Sequence, residues 1–529
     1  MLPAGMQAHY DVVILGGGLA GLTLARQLRQ ERASLRVLVL EKRTHPAPEA
    51  AHKVGESSVE IGAHYFGQVL GLDPHMEERQ LPKFGIRYFF DDGQNRDIAH
   101  RYELGPRRFP RVKSYQLDRG RLENFLFEED QRQGCDVLDQ AITSDVVLGD
   151  PHHTVHFTQA GSPHRVTCRW VVDATGRRGF LKGKFGLRRP SPHKANATWW
   201  RVAKPLKLDD WTTDADWQGR VDTGQRWLST NHLMGPGYWV WFIPLGSGST
   251  SVGIVVDAEM HPYQTINRID KSYAWLDEHE PQAAEVCRDH DDLVEDFLGL
   301  NHYPHGCARV FSSERWALTG EAGVFTDPFY SPGSDFIGIG NDLITEMILR
   351  DGDGVDIRRH AAAFNVIYLR LFEAFTKVYE NQYQIFGHAR VMTAKVAWDN
   401  ACYWGVSALL FFQRKYRDYA FIQSIDPLLR RFFALHVHMQ DFLRDWHRRD
   451  TTMLVDGFAS VVEEPYLWRM QNELDAPHDD ASLRATLEAN VAWLEKFAAA
   501  FQALASTTPD ASDQRTIIPP VEAPELVRS

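Results

Sequence analysis

Tyr10-Asp-Val-Val-Ile-Leu15-Gly16-Gly17-Gly18-Leu19-Ala20-Gly21-Leu22-Thr-Leu-Ala-Arg-Gln-Leu28 is the stretch on which the reading of this chain turns. Tyr10 to Leu15 is a mostly apolar run that fits a strand buried on both faces. Leu22, Leu24, Ala25 and Leu28 recur at helical spacing. Between them lies Gly16-x-Gly18-x-x-Gly21. Gly16 permits a tight turn, Gly18 lets a pyrophosphate approach the backbone, and Gly21 lets helix and strand pack closely. The N–H groups at the helix start, at Leu19 and Ala20, are available to a phosphate. Val37-Leu-Val-Leu40 is the next strand, and Glu41 at its end is placed to accept from an adenosine ribose, with Lys42 beside it. Strand, glycine turn, helix, strand and acid in this order predict a dinucleotide-binding fold.

Outward from this core, Trp170-Val-Val-Asp173-Ala-Thr-Gly176 is another apolar strand ending in a glycine turn, and residues 315–345 repeat strand, glycine turn, helix. Residues 196–299 differ. Trp199, Trp200, Trp227, Tyr238-Trp-Val-Trp-Phe-Ile243 and Thr250-Ser-Val-Gly-Ile-Val-Val256 predict an inserted antiparallel sheet. From 351 to 506 the chain reads as helical, with Phe364, Ile367, Leu371, Phe375 and Val378 on one face. The prolines of 507–529 predict an extended tail. The expected division is a dinucleotide-binding domain over 1–195 and 300–350, a sheet region over 196–299, and the helical region.

Composition narrows the classes. Of 529 residues, 58 are Lys or Arg and 70 are Asp or Glu, for a net charge of −12. That balance argues against a nucleic-acid binder. The five cysteines form no C-x-x-C pair, so a disulfide framework or cysteine zinc site is not expected and a reducing cytosol fits. His436-x-His438 has no third ligand in view and is read as solvated helix, leaving no metal site. No run approaches 18 apolar residues and mean hydropathy is −0.36, so no transmembrane span is expected. The N-terminus lacks a basic region ahead of its short apolar run, so no signal peptide is expected.

Two further motifs make the reading specific. Thr319-Gly320-Glu321-Ala322-Gly323, Asp327-Pro328 and Gly333 resemble the second FAD fingerprint of glutathione-reductase-like flavoproteins. With the Asp173-Ala-Thr-Gly176 strand end, that likeness implies FAD rather than NAD, and no second GxGxxG marks an NAD(P)H domain. Tyr238-Trp239-Val240-Trp241-Phe242-Ile243-Pro244 contains W-x-W-x-I-P. With the glycine loop, Gly55-Glu56-Ser57 and the 327–333 loop, this resembles the flavin-dependent halogenases, relatives of the single-component flavin monooxygenases, over residues 9–345.

The resemblance implies an α/β fold, with a glutathione-reductase-like FAD-binding Rossmann domain, an inserted sheet and C-terminal helices. It also implies a chemistry. Reduced FAD and O2 give a flavin hydroperoxide, chloride or bromide is converted to hypohalous acid, and a lysine passes the halogen to an aromatic ring. Lys83, in Leu81-Pro-Lys-Phe-Gly-Ile-Arg-Tyr88, matches the relay lysine. Ser57, Arg119, Asp327, Gly333 and Ser334 are placed at FAD, Gly333 and Ser334 also at halide, and Trp239 and Trp241 between substrate and flavin. Tyr330 stands where tryptophan halogenases carry a glutamate, which favours a phenolic or similarly electron-rich substrate, free or carrier-tethered. Pro332 lacks the N–H that relatives offer to halide. Trp398, Trp404, Phe411 and Phe412 are read as core or as cavity lining, with core the simpler case. A separate NAD(P)H-driven flavin reductase and a place in secondary-metabolite biosynthesis are implied as well. A non-halogenating flavin monooxygenase or dehydrogenase, and a non-catalytic flavin-binding partner protein, are the alternatives.

Overall fold

The computed structural model describes residues 6–50, 54–506 and 518–522. Most of the expected tail lies outside the described residues. The chain forms two compact units: Met1–Gln80, Leu117–Ser191 and Pro304–Phe372 in one, Leu81–Gln116, Pro192–Tyr303 and Glu373–Ser529 in the other.

In the first unit a sheet runs in the order Phe311–Ser312, Trp316–Leu318, Ser162–Asp173, His9–Leu15, Val37–Leu40, Asp136–Leu138. Its central pairs are parallel, and Leu15 lies level with Asp173 and Leu40. Val12, Val13, Ile14 and Leu15 are wholly buried, as a strand between two helical layers requires. The helix Leu19–Glu31 follows the glycine turn at once. The ends of the parallel strands therefore gather the Gly16 turn, Glu41, Asp173 and Thr319 at one rim, where such sheets bind ligands.

The second unit is built on a sheet in the order Val294–Leu300, Ala195–Val202, Thr250–Asp257, Tyr238–Pro244, Thr230–Gly235, Ile86–Phe90, Glu103–Leu104, Phe458–Ala459. The expected antiparallel strands form. The strand Ile86–Phe90, from a stretch with no clear pattern in the sequence, joins them in parallel with Thr230–Gly235. One face packs Phe89, Leu233, Val240 and Phe242 against the helices Ile269–His279 and Pro281–Arg288. All seven residues of Tyr238–Pro244 are buried, so the opposite face is covered too. Arg87, Glu103 and Arg226 are fully buried together. Arg226 Nε donates to Glu103 over 2.9 Å, and Arg87 pairs with the same carboxylate. Removing one partner of such a group is costly because the remaining charge has no water to return to.

Helices fill the chain's C-terminal part, among them Ala389–Cys402, Asp426–His447 and Asp480–Ala505. None among the described residues is long and apolar enough to cross a membrane.

Candidate functional site

The first unit builds its site from backbone. Gly16 sits at φ +110°, and a Cβ there would lie 2.4 Å from the carbonyl oxygen of Ala174. A Cβ on Gly21 would lie 2.0 Å from the carbonyl oxygen of Gly16. Gly18 is the reverse case: a Cβ would meet nothing within 4 Å, so the loop opens onto free space there. Gly18 caps the helix without a side-chain bond, and the N–H groups of Leu19 and Ala20 have no acceptor within it. Glu41 Oε2 accepts from Gly17 N over 2.8 Å and Oε1 from Arg43 N over 2.9 Å, which fixes the carboxylate beside the loop. Lys42 is exposed next to it.

A second turn closes on the first. Thr319 N donates to Asp173 O over 2.9 Å. Gly320, at φ +57°, brings its Cα so close that a Cβ would lie 3.0 Å from Ala20 Cβ. Asp173 is itself internal, accepting from Thr175 N at 2.9 Å and Leu181 N at 2.6 Å. Asp327 is fully buried and accepts from Phe329 N over 3.0 Å, so its carboxylate holds its own loop. The carboxylate that sequence reasoning passed over is Glu321. Burial raises its pKa, and the cations Arg177, Arg119 and Lys182 oppose the rise. Its place directly after the strand and Gly320 was the available signal.

Arg119 binds Glu123 over 2.6 Å and donates to Val54 O over 3.0 Å. Ser57 is buried a few residues along that same segment. Ser331 takes φ +59°, and the helix Gly333–Gly352 starts immediately after Pro332. A Cβ on Gly333 would meet nothing within 4 Å, whereas the Ser334 hydroxyl is enclosed against Gly62 with no hydrogen-bond partner among the described residues. An anion at this helix start would therefore meet backbone N–H groups rather than that hydroxyl. The open face at Gly18 and Gly333, the bare helix start and the fixed Glu41 fit an FAD with its pyrophosphate on the first turn.

The second unit builds its site from side chains. Lys83, between the short strand Leu81–Pro82 and Ile86–Phe90, is only 2% exposed, whereas most lysines are solvated. Its N–H donates to Ser114 O over 2.9 Å. Trp239 Nε1 donates to the Tyr383 hydroxyl and Trp241 Nε1 to Ser251 Oγ, each over 3.0 Å, and the two indoles lie 5.6 Å apart. Trp241 lies across Gly253, where a Cβ would be 2.2 Å from its ring. His232, on the neighbouring strand, has its ring 4.5 Å from that of Trp239. Sequence reasoning missed it, because a histidine inside an all-buried strand gives no pattern.

Other candidates resolve simply. Trp398, Trp404 and Phe411 are buried, with Trp398 parallel to Phe497 at 6.4 Å, and Phe412 is half-buried. His438 is exposed, but the expectation of a solvated pair fails at His436. It is 5% exposed, its Nε2 is 3.3 Å from Ala374 O, and burial lowers its pKa to about 4. Its side of the helix Asp426–His447 packs inward with Met439 and Leu443.

Comparison with known proteins follows the same lines. An FAD binding domain family matches residues 9–246. The flavin-dependent halogenase chlA of Dictyostelium discoideum is 26% identical over 435 residues, 75% of this chain and 70% of that protein. A 1H-pyrrole-2-carbonyl (peptidyl-carrier protein) chlorinase of Pseudomonas fluorescens is 25% identical, covering 61% of this chain and 72% of its own length. Among solved structures, halogenase PltM in complex with phloroglucinol and FAD shares the fold. Its TM-score is 0.68 at 15% identity, over 91% of this chain and 96% of that one.

Proposed function

Since its relatives place this chain among the flavin-dependent halogenases, as an FAD-using oxidoreductase, we propose that it halogenates an electron-rich, phenolic aromatic substrate through Lys83. The observation that carries the reading is the burial of that lysine, just ahead of a strand of the sheet whose face packs Trp239 with Trp241 and His232.

Bound as its reduced form with O2, FAD supplies the two-electron oxidation that turns a halide into hypohalous acid. The chain's own residues do the rest. Gly16, Gly18 and Gly21 give the pyrophosphate its close approach, with the N–H groups of Leu19 and Ala20 toward its charge. Glu41 holds the ribose, and Glu321 and Arg119 bear on the same cofactor. The N–H groups of Gly333 and Ser334 hold the halide. Lys83 takes up the hypohalous acid, and its desolvated amine is a stronger nucleophile than a solvated ammonium. Trp239 and Trp241 wall the substrate ring. Tyr330 supplies no carboxylate base, and a phenol needs less help than an indole because its hydroxyl already feeds electron density to the ring. Reduced FAD would come from a separate reductase in the same cytosolic compartment.

The test supplies reduced FAD, air and chloride or bromide with a panel of phenols, and seeks the halogen isotope pattern by mass spectrometry. Product lost by about 10²-fold or more in Lys83→Ala, with FAD binding kept, is the expected result. Oxygenated or desaturated product formed without halide would overturn the reading in favour of a monooxygenase or dehydrogenase.

A further inference from the structure

The two turns of the first unit's site are joined by one side chain to which the proposed chemistry gives no part. Asn341 lies on the helix Gly333–Gly352 and is fully buried. Its amide nitrogen donates toward Ala20 O over 3.1 Å, and toward Thr23 Oγ1 and the Tyr65 hydroxyl over 3.0 Å each. Its Oδ1 accepts from Thr319 Oγ1 over 2.6 Å. Ala20 belongs to the start of the helix Leu19–Glu31, the end assigned to the pyrophosphate. Thr319 directly precedes Gly320, where the second turn begins. One end of a single amide thus grips the first turn, and the other end grips the second.

The neighbouring groups fix which way the amide faces. Thr23 Oγ1 donates to Leu19 O over 2.5 Å, so toward Asn341 it accepts. The Tyr65 hydroxyl donates to Gln27 Oε1 over 3.0 Å, and Gln27 Nε2 donates to Asp342 Oδ1 over 2.9 Å. Hydrogen bonds therefore close a ring between the helices Leu19–Glu31 and Gly333–Gly352. Thr23, Gln27, Tyr65, Asn341 and Asp342 are each at most 1% exposed, so water does not compete for these bonds. The turns also touch directly, since a Cβ on Gly320 would lie 3.0 Å from Ala20 Cβ. Packing there limits how near the turns come, and the Asn341 bonds limit how far apart they drift.

Resting on the FAD site proposed above, we propose that Asn341 is the positioning residue that sets the spacing between the two turns for a ligand long enough to span both. The first turn takes the pyrophosphate and, through Glu41, the adenosine ribose. The second, which leads to Glu321 and to the helix start at Gly333, takes the flavin half. A ligand held at both ends gains from the second end in full only when the spacing already suits it, because any rearrangement is subtracted from its affinity. A ligand that ends at the pyrophosphate gains nothing from that spacing. Asn341 therefore favours the whole dinucleotide over its adenylate half.

Calorimetric titration of the full chain, with FAD and with ADP as separate ligands, tests this without any turnover. In Asn341→Ala the Kd for FAD should rise about tenfold or more, while that for ADP stays within about twofold. Thr319→Val replaces the hydroxyl with a methyl of similar size and should show the same split. It decides the question if Asn341→Ala does not fold. Equal weakening of both ligands overturns the proposal, since Asn341 would then only support the helix Leu19–Glu31. Unchanged FAD affinity in either folded variant overturns it as well. The native chain separates this from the underlying site: if ADP fails to displace FAD there, the adenylate half does not lie on the first turn. The FAD assignment then falls, and the role of Asn341 with it.

Discussion

The glycine turns of the first unit and the tryptophan-bearing sheet of the second solve opposite problems. At Gly16, Gly18 and Gly21 the useful feature is an absent side chain, and any Cβ either collides or fills space a ligand needs. At Lys83, His232, Trp239 and Trp241 the useful feature is the side chain itself, held by burial in or just ahead of the strands of one sheet. A site made of backbone leaves a fixed sequence spacing, because its geometry comes from consecutive residues. A site made of side chains on adjacent strands leaves almost none, because register across the sheet sets it.

The first way to break this contrast is a pair of glycine substitutions. Gly16→Ala forces a Cβ to 2.4 Å from the Ala174 carbonyl oxygen at φ +110°, and is expected to cost about 2 kcal/mol or more of stability. Gly18→Val meets no protein atom within 4 Å, so it should leave the melting temperature unchanged while weakening FAD binding about tenfold or more. Thermal melts with and without FAD separate the two. Equal losses of stability would mean that Gly18 is structural.

Acid tests whether the units differ in their buried bases, and the expectation is that they do not. In the first unit burial lowers the pKa of His75 to about 4 and that of His305 to about 3. In the second unit burial lowers His232 well below its usual value and His436 to about 4. Each folded pKa lies below the unfolded value of 6.5. The unfolded chain therefore takes up these protons first as pH falls, and stability present above about pH 6.5 is lost toward pH 4. Each imidazole contributes about 1.4 kcal/mol per pH unit in that window. Melting temperatures measured from pH 7 to pH 5 should fall steadily, and a constant value would show that these histidines are not held neutral.

Gly85 joins the two modes, since a backbone device there serves a side-chain site. Its φ is +66°, and a Cβ would lie 3.0 Å from Pro106 Cγ. Gly85→Ala is expected to cost about 1–2 kcal/mol. Because it also disturbs where Lys83 points, halogenation should fall while FAD affinity holds. Parallel loss of both activities would remove the distinction between the sites.

How much was legible follows from these residues. Strands His9–Leu15 and Val37–Leu40 and the helix between them could be read to within a few residues, since apolar runs flanked by glycines leave few alternatives. The W-x-W-x-I-P strand was legible as Tyr238–Pro244. The strand Ile86–Phe90 was not recognised as part of its sheet, because the partner lies about 140 residues onward and parallel pairing leaves no hairpin signal. Among acids near the second turn, Asp327 attracted attention through its neighbouring proline, and one of its carboxylate oxygens accepts from Phe329 N. Glu321 stood in the quoted motif, directly after the strand and Gly320, but only the fold brings Arg177 and Arg119 to bear on it. His436 was misjudged because an x-spaced pair on a helix says nothing about which of its members turns inward.

The smallest effect is the most discriminating for the side-chain site. Tyr383 accepts the Trp239 indole N–H over 3.0 Å, and both residues are buried. Tyr383→Phe removes that acceptor while keeping the ring that stacks on Phe386 at 4.4 Å. The orphaned N–H should cost about 1 kcal/mol or slightly more, read as a small drop in the denaturation midpoint. Backbone-held FAD should be indifferent to it. Halogenation should show a modest loss in kcat with KM for the phenol raised, because Trp239 loses its anchor beside His232. If kcat and KM both stay at native values, the indole is held by packing alone, and the site depends on shape rather than on its hydrogen bonds.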